Sequence, residues 1–156
     1  MRRNTYEMIF HRLEQLGIDI NTALDGPDSA KSVADPDGGF MDLHLDNLGT
    51  RGPAGSFDIS LAHYFKQNGD MCCDPDMEIR VYPQWKMAEA LTFQMTIPPV
   101  YQEVYPEPGK VYPKVKAELN HFLKMWLRTC INQGHSFKAP LPTIDVQEIR
   151  PEVITL

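Results

Sequence analysis

Strict alternation is the feature that most limits what this chain can become. In Met77-Glu78-Ile79-Arg80-Val81-Tyr82, Met77, Ile79 and Val81 take one side and Glu78, Arg80 and Tyr82 the other. A period of two puts successive side chains on opposite faces of a strand, so the two faces meet different environments. After the link Pro83-Gln84-Trp85-Lys86 the pattern resumes. Met87, Glu89, Leu91, Phe93 and Met95 are expected on one face, and Ala88, Ala90, Thr92 and Gln94 on the other. Residues 57–134 as a whole read as a run of strands closed by one amphipathic helix.

Other segments extend the same pattern. Phe57, Ile59, Leu61, His63 and Phe65 share a face, and Asn68-Gly69-Asp70 follows as a turn signal. The acid-rich Cys72-Cys73-Asp74-Pro75-Asp76 reads as a connection before the next strand. Phe40 to Asp46 alternates with Met41, Leu43 and Leu45 inward, and residues 100–105 supply a further strand. Val-Tyr-Pro recurs at Val81, Val104 and Val111; proline cannot donate to a ladder, so these are read as strand exits. Residues 21–39 are turn chemistry, rich in Asp-Gly, Asp-Pro and Gly-Gly pairs.

Two helices frame the strands. Tyr6, Ile9, Phe10, Leu13 and Leu16 follow the three-four spacing, with Asn4 or Thr5 as N-cap and Gly17 as terminator. Residues 114–133 carry an apolar stripe that includes Leu119, Leu123, Trp126 and Cys130, with Lys116, Asn120, Lys124 and Arg128 opposite. The tail beyond Lys138 holds Pro140, Pro142 and Pro151 and is expected to be extended, with Ile144, Val146 and Ile149 laid along the domain. The expectation is one α+β domain over residues 1–156. Its mostly antiparallel sheet has about four to six strands, with an N-terminal and a C-terminal helix packed on one face. Its parts are a first helix (1–17), an acidic turn-rich segment with one strand (18–56), sheet and second helix (57–134), and an extended tail (135–156).

Composition narrows the function. A hydrophobic content of 42% over 156 residues suits a packed core. No apolar run approaches the roughly 20 residues that span a bilayer, and the start lacks a secretory h-region. Three cysteines, two of them adjacent, make no disulfide framework, so the cytoplasm is the expected location. Residues 18–46 hold Asp19, Asp25, Asp28, Asp35, Asp37, Asp42 and Asp46 against Lys31 alone, and this segment accounts for the whole net charge of −6. A nucleic-acid binder needs a basic stripe to replace counterions. This distribution instead favours a protein partner with a basic surface, and neither direct nucleic-acid nor membrane binding.

The residues that carry chemistry elsewhere are sparse. Asp70, Asp74 and Asp76 offer clustered oxygens for a hard cation, yet the calcium-loop pattern with its glycine and trailing glutamate is missing, so solvated turn acids are the plainer reading. Cys72 and Cys73 with His63 suggest zinc only weakly, because adjacent cysteines seldom reach one tetrahedral ion. Ser60 and His63 are three apart on a strand, hence on opposite faces, and His63 reads as a hydrogen-bonded core histidine. The phosphate-binding, nucleophile-elbow and zinc-protease motifs are absent. No cofactor is expected.

A resemblance enters on residues 59–70, Ile59-Ser60-Leu61-Ala62-His63-Tyr64-Phe65-Lys66-Gln67-Asn68-Gly69-Asp70, and on Asp74-Pro75-Asp76-Met77. With Tyr101-Gln102-Glu103-Val104-Tyr105 and Glu118-Leu119-Asn120-His121-Phe122-Leu123, these strings resemble a bacterial family of unknown function carried on plasmids and integrative elements. A lesser likeness links residues 77–94 and 119–134 to the YqiB-like proteins. The resemblance covers about half the chain, outside the acidic segment, and implies no catalytic residues. The expectation is therefore a non-enzymatic interaction module, docking through Asp28, Asp35, Asp37, Asp42 and Asp46. One version is a mobile-element, anti-CRISPR-like inhibitor of a host nucleic-acid-binding defence complex, since an acidic face can occupy a basic channel. The alternatives are a small metal-dependent enzyme using Asp70, Asp74, Asp76 and His63, or a homodimeric accessory protein.

Overall fold

The computed structural model describes residues 2–20, 29–34, 37 and 39–138. Six strands pair in chain order as an antiparallel meander: β1 (Ser29–Ser32), β2 (Leu43–Asn47), β3 (Phe57–Gln67), β4 (Asp70–Tyr82), β5 (Met87–Met95) and β6 (Val100–Glu103). Helices α1 (Thr5–Gln15) and α2 (Pro113–Asn132) lie side by side on one face of this sheet. The α+β architecture is the one that the alternation and the two helical stripes predict. The expected docking of residues 144–149 lies outside the described residues.

Each helix forms for local reasons. Asn4 caps α1 reciprocally with Glu7: the Glu7 N–H donates to Asn4 Oδ1 at 2.8 Å and the Asn4 N–H to Glu7 Oε1 at 3.1 Å. Ile9, Phe10 and Leu13 of α1 then meet Leu119, Leu123 and Leu127 of α2 over Ile59, Leu61, Met77, Ile79 and Val81 in one core. Gly17 follows α1 with a φ of +84°, and a Cβ there would lie 2.7 Å from the Lys138 backbone nitrogen. The close pass is fixed by the Phe137 N–H, which donates to the Leu16 carbonyl at 2.7 Å. Glycine serves both the cap and the crossing.

The structure departs from simple alternation at several places. Strand β4 starts at Asp70, because Asn68 (φ 53°) and Gly69 (φ 83°) close a two-residue hairpin that pairs Gln67 with Asp70 at once. The acids expected in a turn therefore lie on a strand. Its register shifts opposite His63, where Asp74 and Pro75 stand unpaired, and such an irregularity is where a strand tolerates proline. In β5 an extra residue, Leu91, sits between Ala90, paired with Ile79, and Thr92, paired with Glu78. This bulge switches the faces: Ala88, Ala90 and Phe93 point to the core, while Glu89 and Thr92 take the opposite side. The single unbroken alternation expected for residues 87–95 is corrected accordingly. Met41 is exposed rather than inward, since pairing of β2 begins only at Leu43. Strand β1 arises in residues read as turns, and Asn120, placed on the polar side of α2, is buried.

Candidate functional site

The sheet face turned away from the helices is where the polar side chains gather. Cross-strand register sets Asp46, Ser60 and Glu78 in one row, His44, Ala62 and Asp76 in the next, and Asp58, Arg80 and Glu89 in a third. Glu78, Thr92 and Glu103 continue their row to the edge strand. Asp58 is buried, and its charge is met by Arg80: Nε donates to Oδ1 at 2.8 Å and Nη2 to Oδ2 at 3.2 Å. This fork holds the guanidinium pKa above its ordinary value. Asp76 accepts a hydrogen bond from Ser60 Oγ at 3.0 Å, yet burial and the nearby Asp46 push its pKa up. Burial, then Asp76 and Asp58, do the same to Glu78. These carboxylates are crowded, and Lys31, in register with His44, lies 3.7 Å from Asp42.

Tyrosines frame the acids. Tyr82 and Tyr105 both donate to the Glu89 carboxylate, Tyr82 at 2.7 Å, and Lys116 Nζ lies 3.3 Å from the Tyr105 hydroxyl. Burial and Glu89 push the Tyr82 phenol up to about 12. At the other end, burial together with Asp76 and Asp46 pushes Tyr64 up to about 12. Between Tyr82, Tyr101 and Tyr105 opens a groove of about 650 Å³ with Glu78, Arg80 and Glu103 in its lining. Tyr82 also stacks on Trp85, ring centroids 4.9 Å apart and planes 16° apart.

A second cluster lies on the core side. His63 Nδ1 is 2.8 Å from the Asp42 carbonyl, so it carries the proton and donates. Its Nε2 therefore faces the Cys130 thiol, 3.9 Å away, as an acceptor. Trp126 packs edge-on at 5.4 Å and His135 lies 5.8 Å off. Nucleophilic cysteine needs a stabilised thiolate. Here burial pushes Cys130 up to about 12 and holds both imidazoles below their ordinary value, so all three groups are neutral. The cluster is a packed joint: His135 Nδ1 meets Ser32 Oγ at 3.0 Å, and the Ser136 N–H donates to the same oxygen at 2.9 Å.

The residues singled out by sequence scatter across these environments. Asp28 and Asp35 lie outside the described residues. Asp37 is exposed in a turn, Asp42 sits 3.7 Å from Lys31 and lines a hollow with His44 and Tyr64, and Asp46 lies in the acid-and-tyrosine face. Asp76 joins that face, whereas His63 points into the core, so the alternative grouping of Asp70, Asp74, Asp76 and His63 is split across the sheet. Among the described residues no three His, Cys, Asp or Glu side chains converge on a metal position. Glu103 and Glu89, which matter most to the groove and the tyrosines, were not selected by sequence. The strand alternation already placed Glu78, Arg80 and Tyr82 together, but the Leu91 bulge hid Glu89.

Fold and face together define a small α+β protein with a meander sheet, helices on one side and an acid-and-tyrosine surface on the other. The chain belongs to the family described as "Domain of unknown function (DUF6908)", whose model matches residues 11–136. No curated protein and no solved structure matches it. Among the described residues no helix is long and apolar enough to cross a membrane.

Proposed function

We propose that this protein is a non-enzymatic interaction module that docks a basic protein surface on the open face of its sheet. One observation carries the reading: Asp46, Asp76, Glu78 and Glu103 share a face with exposed tyrosine, and the Arg80 guanidinium among them is already committed to Asp58. Charge complementarity of this kind steers association and selects partners. The docking surface is thus centred on the sheet, with Asp46 as its link to the acidic segment that holds Asp28, Asp35, Asp37 and Asp42. A cytoplasmic bacterial protein encoded on a mobile element, which blocks the nucleic-acid channel of a host defence complex, is the most specific form of this reading. Affinity capture with quantitative mass spectrometry tests it, comparing wild type with Glu78→Lys/Glu103→Lys and with Asp35, Asp37, Asp42 and Asp46 reversed to lysine. Salt-sensitive capture of a basic protein, lost on reversal at Glu78 and Glu103, supports the reading. The same preys on wild type and both variants overturn it.

A further inference from the structure

The groove has a neighbour where the β4–β5 turn meets the two helices. A smaller hollow of about 150 Å³ has Tyr6, Tyr82, Trp85, Met87, Glu89 and Lys116 in its lining, and Tyr82 belongs to both. Trp85 is 56% exposed although it is held flat against Tyr82, and Tyr101 in the groove is 60% exposed. Large aromatic rings left open and rigidly placed are typical anchors of binding surfaces.

The two concavities differ in charge. Glu78 and Glu103 line the groove, and the cation there, Arg80, is neutralised by Asp58. Lys116 and Glu89 line the hollow with opposite charges, Lys116 Nζ lying 5.7 Å from the Tyr6 ring centre and 5.6 Å from that of Tyr105. The hollow therefore carries one charge of each sign, and its Tyr6, Tyr82, Trp85 and Met87 walls suit an apolar side chain, whereas the groove attracts a cation. Their spacing follows from the register. Tyr82 pairs with Met87 at the hollow, and Glu78 pairs with Thr92 in the row that ends at Glu103. Four residues along β4 separate these rows, or about 13 Å. In an extended peptide, side chains four residues apart point the same way and span the same distance.

We infer that this surface recognises an extended peptide segment that carries an arginine or lysine four residues from a large apolar side chain. The basic group enters the groove beside Glu78 and Glu103, and the apolar one fills the hollow against Trp85 and Met87. This rests on the docking function above and specifies what it reads.

Fluorescence anisotropy with labelled synthetic peptides tests the inference. One peptide holds Leu and Arg four apart in a Gly/Ser/Thr background; its isomer holds them adjacent; a third has Arg alone. The spaced peptide should bind about tenfold more tightly than its isomer. Trp85→Ala, a truncation at an exposed ring, should abolish that difference and leave arginine-only binding in place. Glu78→Gln/Glu103→Gln should weaken all three peptides. Equal affinity for the two isomers overturns the spaced-pair inference while leaving a basic docking surface standing. Failure of every arginine peptide to bind wild type overturns both. A dimer in light scattering that Trp85→Ala dissociates assigns the hollow to a second copy and likewise overturns the inference.

Discussion

The Asn120 side chain accepts the Ala90 backbone N–H at 2.8 Å, joining the middle of α2 to the bulge of β5. A bulge interrupts the ladder and leaves backbone groups that need other partners. Asn120 completes the arrangement by donating its Nδ2 hydrogen to the Lys116 carbonyl at 2.8 Å. Replacing it by Leu strands a buried donor, and the cost should be about 1–3 kcal/mol in urea denaturation with an unchanged m-value. Asn120→Asp keeps the acceptor but buries a charge, so its loss should be larger at neutral than at acidic pH. A Leu variant as stable as wild type would show that the Ala90 N–H finds another partner.

That pair also shows where sequence reading stops. Alternation located Met77 to Tyr82 correctly, because the two faces of β4 there differ sharply and no bulge intervenes before Tyr82 on its own strand. In β5, Leu91 looks like any inward residue, and only the partner strand reveals that it is the inserted one. Asn120 was invisible for a related reason. Polar residues on a helix are read as solvent-facing, and the bulge that draws this one inward is on another element. Helices were legible from their stripes and caps, since those signals are local. The acid-and-tyrosine face was half legible: Glu78, Arg80 and Tyr82 share a strand, while Asp46, Glu89 and Glu103 arrive from three others.

Arg80 and Asp58 provide a test of the open face. The Asp58 side chain is 9% exposed and the Arg80 side chain 39%. Removing Arg80 alone leaves a buried carboxylate unpaired, so Arg80→Met should cost about 1–3 kcal/mol, reduced from fully buried cases by the solvent at the guanidinium. Asp58→Asn/Arg80→Met should recover most of that loss in thermal unfolding. A double variant no better than the single would mean that the pair acts through packing of the arginine stem.

Cys130 is 1% exposed and its thiol is pushed up to about 12. Alkylation by iodoacetamide requires thiolate and access. Native protein at mild alkaline pH should therefore leave Cys130 unlabelled in peptide mass spectrometry, and unfolded protein should label it fully. Rapid native labelling would show that the joint between β3 and α2 opens freely, and would revive Cys130 as a reactive group.

The pH dependence of stability should show two opposing limbs. His63 and His135 are held neutral by burial, so the unfolded chain takes up protons more readily than the folded one as pH falls below the ordinary histidine value near 6.5. Stability from these residues is complete above that pH and declines below it. The groups facing the pair temper the effect: Asp42 and Asp74 oppose the shift at His63, and His44 adds to it. Asp76 and Glu78 work in the other direction, because their raised values make the folded chain the better proton acceptor. As pH falls through their folded values toward the ordinary carboxylate range, they return stability. His63→Phe is too invasive a probe, since Nδ1 holds the Asp42 carbonyl. His135→Gln should retain the Ser32 contact and flatten the loss as pH falls below 6.5. Asp76→Asn and Glu78→Gln should each raise neutral-pH stability, by on the order of 0.5 kcal/mol after solvent screening. Melting temperatures across pH 4 to 8 measure both limbs. An unaltered profile for His135→Gln would remove that histidine from the acid limb, and destabilisation by the two carboxylate substitutions would mean that the open face is already relieved of its crowding.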